Sequence, residues 1–193
     1  MPPSSSCARW ARPSARSTSS ASSRPTSSPP STAADAGAPA ARLAALQAGA
    51  LDWDLVLDEA VRHGLIPLLY RHTLALHAPG AALDRLEREF AAATLRSLAL
   101  TDALVDVITA MRAAGVGVTP FEGPALAASI YGDVRLRRFD DLDILVHRAD
   151  AAAADAVLAR RGYRACAASS WTRRYGRGDV AVALHWAIAP GAG

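Results

Sequence analysis

Two hydrophobic rhythms follow one another along this chain, and the change from one to the other falls near Gly115. Before it, apolar residues recur at helical spacing. Asp52 can cap a helix beginning at Trp53, with Leu55, Val56 and Ala60 on one face and Gly64 as its stop, and Leu65 to His72 begins another helix. Leu83, Leu86, Phe90, Leu98, Leu104, Ile108 and Met111 then recur at spacings that suit helical faces, with a break expected near Ser97 to Thr101.

After Gly115 the apolar runs shorten to strand length. Val116-Gly117-Val118 reads as a short strand, and Pro124 fits the first position of a helix running to about Tyr131. An apolar strand follows Asp141, and Ala149 to Arg161 is an Ala-rich amphipathic helix with Val157 and Leu158 inward and Gly162 as its stop. Tyr163 to Ala168, Ser170 to Tyr175 and Val180 to Trp186 alternate as strands, the last two joined by a Gly176-Arg177-Gly178-Asp179 turn. This order predicts an α+β fold, in which a mixed β-sheet with flanking helices over 115–189 is preceded by a helical subdomain over 39–114.

Composition adds a leader and removes some function classes. Residues 1–38 are dominated by Ser, Pro, Ala and Arg, with Asp35 the only acid, so this leader is expected to be disordered. Leaders of this kind also resemble organelle transit peptides, but Ala and Arg are abundant throughout, and biased coding composition is the simpler account. At 193 residues and 51% hydrophobic the chain can build one domain with a core, and no apolar run approaches the roughly 18 residues needed to cross a membrane. Cys7 and Cys166 are the only cysteines, which argues against a disulfide framework and for a reducing, cytoplasmic compartment. The net charge is +3, but the arginines are spread rather than striped with aromatics, so nucleic acid is not an expected partner.

The candidate chemistry lies at Asp141-Leu142-Asp143. Side chains alternate along a strand, so the two carboxylates share a face about 7 Å apart along the chain. Hard oxygen donors in that arrangement suit Mg²⁺ or Mn²⁺, which use one or two carboxylates together with substrate phosphates. Taken alone, the same pattern also suits a polar start to a strand. Its neighbours favour the metal reading: strand, Gly123 and the helix N-terminus at Pro124 together form a cradle in which backbone N–H groups and the helix dipole favour an anion. Clamp and cradle together point to a nucleoside triphosphate, and Arg137 and Arg138, just before the clamp, are candidates for gripping phosphate. His63 suits the last turn of a helix, and His185 suits packing or hydrogen bonding within a core strand, so neither is a site candidate.

Several segments taken together resemble a known family. Ala114-Gly115-Val116, Phe121-Glu122-Gly123-Pro124-Ala125-Leu126-Ala127, Ile130-Tyr131-Gly132-Asp133, Leu136-Arg137, Asp141 to Val146, Gly162-Tyr163 and Leu184-His185-Trp186 are similar to the uncharacterised nucleotidyltransferase family of the polymerase-beta-like superfamily. Upstream, Leu51-Asp52-Trp53 and Arg62-His63-Gly64 to Pro67-Leu68-Leu69-Tyr70 match the same family's helical lead-in, so the resemblance covers roughly 41–189. It implies transfer of a nucleoside monophosphate from a nucleoside triphosphate to an acceptor hydroxyl on a small molecule or protein. Asp141 and Asp143 would hold two metals, and Gly123 and Pro124 would lie at the nucleotide.

The sequence departs from that pattern in three places. Glu122 stands where the family usually has a lysine, and Ala183 where a third acid commonly precedes Leu-His-Trp. The chain also stops soon after Trp186, where relatives usually continue into further helices, so a core truncated at its C-terminal end is expected. The alternative reading is a catalytically degenerate relative that binds nucleotide or a protein partner. A third is a helical interaction protein in which the aspartate pair is structural.

Overall fold

A computed structural model describes residues 51–72 and 78–187. The predicted leader and Cys7 lie outside the described residues. Three helices come first: α1 (Trp53–His63), α2 (Ile66–His72) and α3 (Gly80–Ala113). Asp52 caps α1 by accepting the Leu55 N–H at 3.1 Å, and Gly64 ends it in the left-handed region at φ 68°.

The inward face of α1 differs from the expected one. Leu57 and Ala60 are buried, whereas Leu55 is 59% exposed. The cap sets the helical phase, and Trp53, Leu57, Ala60 and Val61 then fall on one stripe against α2 and α3, which turns Leu55 outward. The break expected near Ser97 to Thr101 is also absent. Helix α3 runs unbroken for 34 residues, about 51 Å at 1.5 Å per residue, and the Thr101 hydroxyl donates back to the Ser97 carbonyl at 2.7 Å within it.

The remaining elements are β1 (Val118–Pro120), α4 (Pro124–Tyr131), a 3₁₀ turn (Val134–Leu136), β2 (Leu142–Val146), a second 3₁₀ turn (Arg148–Asp150), α5 (Ala151–Arg160), β3 (Arg164–Ala168), β4 (Thr172–Arg177) and β5 (Val180–His185). Strand β1 begins two residues later than expected, because Val116 is spent as a buried core contact after α3. The five strands form one mixed sheet in the order β1-β2-β5-β4-β3. Strands β2 and β5 are parallel, and every other neighbour pair is antiparallel. The β4–β5 turn is shorter than expected: Gly176 and Arg177 pair with Ala181 and Val180, leaving Gly178 at φ 56° and Asp179 to reverse the chain.

The sheet has two unlike faces. One carries Leu142, Ile144, Val182, Leu184 and Tyr175 into a core shared with Leu100, Leu104, Val107 and Met111 of α3 and Val157 and Leu158 of α5. The other carries Asp143, Ala183 and His185, which are also buried. A second, smaller cluster joins α1 and α2 to the first half of α3 through Leu57, Ala60, Ile66, Ala82 and Leu86.

The stripe on α1 makes a direct prediction. Leu57→Ala should lower unfolding free energy by about 2–5 kcal/mol, while Leu55→Ala should stay within about 0.5 kcal/mol. Urea denaturation of both variants checks this, and equal losses would count against the observed helical phase.

Candidate active site

The polar face of the sheet is assembled by strand register. Parallel pairing sets Asp143 beside Ala183 and Leu145 beside His185, so His185 is the diagonal neighbour of Asp143 on the same face. The His185 Nε2 and Asp143 Oδ1 atoms are 2.9 Å apart, with both side chains 9% exposed. One strand further on, Arg174 pairs with Ala183. A row Asp143–Ala183–Arg174 therefore crosses three strands, and Arg174 Nη2 donates to Asp141 Oδ2 from its far end.

The charges are unbalanced. Burial first, and then the neighbouring Asp143, push the Asp141 carboxyl above the usual carboxylate range; Arg174 opposes this, and Asp140 and Glu122 add to it. His185 is enclosed by Phe121, whose ring meets it edge-on at 5.1 Å, and by Trp171 at 5.5 Å. Two buried donor or acceptor atoms in this neighbourhood, His185 Nδ1 and Arg174 Nε, have no hydrogen-bond partner.

The loop before α4 is tied to the same strand. Phe121 N–H donates to the Asp143 carbonyl at 3.3 Å. Gly123 caps α4 at φ 62° and ψ −129°, and a Cβ there would lie 3.1 Å from the Asp141 carbonyl oxygen. Only glycine satisfies both conditions. Pro124 follows as the first residue of α4 and is buried.

Of the residues singled out from sequence, Asp141, Asp143, Gly123 and Pro124 thus come together. Arg138 turns elsewhere: its Nη1 donates to the Val61 carbonyl at 3.3 Å and its Nε lies 3.5 Å from Asp140 Oδ1. Arg137 lines a groove of about 450 Å³ with Arg138, His63 and Tyr131. Arg174 is not among the residues the sequence singles out, and His185 is expected there only to pack or hydrogen-bond within a core strand. His185 does hydrogen-bond, as a core histidine would, but its partner is a candidate site residue.

The fold agrees with a comparison against known families. The family model described as uncharacterised nucleotidyltransferase matches residues 49–193. The chain belongs to that family. No curated protein and no solved structure matches it.

For an uncharacterised nucleotidyltransferase, the mixed sheet with flanking helices is consistent with the fold, and Asp141 and Asp143 occupy its polar face. Among the described residues no group of three or more His, Cys, Asp or Glu side chains could hold a metal ion. Ala183, directly beside Asp143, offers a methyl group where a further carboxylate would complete such a group.

Arg174 holds the Asp141 pKa down against burial, so Arg174→Ala should raise it further; carbon-detected NMR of the aspartate carboxyls reads the shift, and a fall would contradict the pairing. In the native chain, ionising Asp141 already disfavours the fold, so its contribution to stability declines as pH rises from the ordinary carboxylate range through the raised value. Separately, Gly123→Ala should cost about 1–3 kcal/mol from backbone strain alone, measurable as a lowered urea midpoint.

Proposed function

We propose that this chain transfers a nucleoside monophosphate from a nucleoside triphosphate to an acceptor hydroxyl, on a small molecule or protein, with a divalent cation held by Asp141 and Asp143. The supporting observation is the placement of these two carboxylates on one sheet face, Asp143 buried and Asp141 half-buried, where burial and the neighbouring Asp143 push the Asp141 pKa up. A hard cation offsets their negative charge. The donor set fits Mg²⁺ or Mn²⁺ that keeps part of its water and takes substrate phosphates as further ligands. When bound, the cation supplies Lewis-acid polarisation of the phosphoryl oxygens.

The chain's own residues then position the reaction. The acceptor oxygen forms a bond to the α-phosphorus while the bond to the bridging oxygen breaks, and pyrophosphate leaves. His185 fixes the rotamer of Asp143 through one oxygen. Gly123 allows the backbone to approach a phosphate closely, and the free N–H groups at the start of α4 suit an anion. With Ala183 in the row, the acceptor's proton goes to a group other than residue 183, such as solvent. No described helix is long and apolar enough to cross a membrane, and a cytoplasmic site of action belongs to the proposal.

A second reading has its own support. Ala183 and the Arg174–Asp141 ion pair favour a relative that binds nucleotide without transferring it. The two readings separate in one assay. The native chain, incubated with α-labelled nucleoside triphosphates, Mg²⁺ or Mn²⁺ and a panel of hydroxyl acceptors, should release pyrophosphate and label an acceptor. Asp143→Asn should reduce this at least about a hundredfold, the scale of losing a group that stabilises transition-state charge. Metal-dependent binding without transfer would select the second reading, and nucleotide stabilisation that survives in the Asp141→Ala, Asp143→Ala variant would reject the clamp in both.

A further inference from the structure

The row Asp143–Ala183–Arg174 carries one step more, which rests on the transfer reading above. We propose that Arg174 takes the place of a second cation: the site holds one divalent ion between Asp141 and Asp143, and the Arg174 guanidinium supplies the remaining positive charge to the triphosphate.

Three observations lead there. First, the ligand count is short: β5 presents the Ala183 methyl between the acid strand and the arginine strand, and His185, the next side chain on that face, is engaged with Asp143, so β5 adds no carboxylate for a second ion. Second, Arg174 is already placed as the cationic partner of the site. Its Nη2 takes Oδ2 of Asp141, and the other oxygen of that carboxylate remains for a metal. Third, the guanidinium is incompletely used. Its Nε is buried without a hydrogen-bond partner and its Nη1 makes none among the described residues, although the side chain is only 21% exposed. A buried guanidinium donor without an acceptor is costly, and a phosphate oxygen matches its planar fork.

Charge arithmetic agrees. Asp141, Asp143, one divalent ion and the Arg174 guanidinium sum to a single positive charge, which the nearby Asp140 and Glu122 partly offset. A second divalent ion in the same place would sit against Arg174 with no additional acid to hold it, and like charges at such range repel strongly. Arg174 would then touch the substrate's phosphate oxygens and count as a catalytic residue, stabilising charge as pyrophosphate leaves.

Manganese counting tests this without knowledge of the acceptor. The full chain is titrated with Mn²⁺ in the presence of α,β-methylene ATP, and bound ion is read by electron paramagnetic resonance. The expected result is one Mn²⁺ per native chain, with a second gained in the Arg174→Ala, Ala183→Asp variant. Arg174→Ala alone should weaken the nucleotide analogue about tenfold or more, the scale of a lost charge-assisted hydrogen bond, and Arg174→Lys should recover part of that. Two Mn²⁺ ions on the native chain, or unchanged analogue affinity in Arg174→Ala, would overturn the inference while leaving the transfer reading intact. Absence of any nucleotide-linked Mn²⁺ would overturn both. The native stoichiometry decides the matter even if a variant fails to fold.

Discussion

Parallel pairing between β2 and β5 sets Asp143 against Ala183 and Leu145 against His185, and the geometry of the polar face follows from this register. A parallel pair cannot be closed by a short turn, so the chain between the two strands must make a crossover. Here that crossover contains α5, β3 and β4. It covers one sheet face with Val157 and Leu158 and delivers Arg174 to the other through the antiparallel β4–β5 pairing. A slip of one residue would exchange the faces of β5, placing Leu184 where His185 stands and leaving Asp143 buried without its partner.

The polar face is costly as built. Asp143 is buried and Asp141 half-buried beside it, with Asp140 and Glu122 adding negative potential and the Arg174 guanidinium in reply. Stability alone gives no reason to assemble such a group, since a buried ion pair adds little once desolvation is counted. The apolar core on the opposite face supports this arrangement: Leu142, Ile144, Val182 and Leu184 are fully buried beneath it. The buried atoms without a hydrogen-bond partner on His185 and Arg174 lie on the same face.

Much of the architecture was readable from the sequence because it rests on local rules. Asp52, Gly64, Pro124 and Gly162 announce helix ends through capping, proline at the first turn or left-handed backbone, and the alternating runs after Gly162 announce strands. The inward face of α1 was misread because Leu55 and Leu57 are equally apolar, and only the packing of α2 and α3 chooses between them. The break expected near Ser97 to Thr101 does not form, and Thr101 satisfies its hydroxyl on the helix itself. At the site, Asp141, Asp143 and Gly123 were legible since their spacing is local. Arg174 and His185 were not: their relation to the aspartates lies in a register between strands more than 30 residues apart, as the Arg174–Asp141 separation of 33 and the His185–Asp143 separation of 42 show.

The continuous α3 helix places Ala82 and Leu86 in one apolar cluster and Leu100, Leu104, Val107 and Met111 in the other. Such a rod links the two clusters in angle as well as in distance. Inserting one residue midway would turn one half by about 100° relative to the other and lengthen it by about 1.5 Å, so one cluster would lose its face. Insertions that preserve both faces must come close to whole helical turns. The length of this helix is therefore under a phase constraint that the loops of the chain do not share, and variation in it should be stepwise where variation in the loops is continuous.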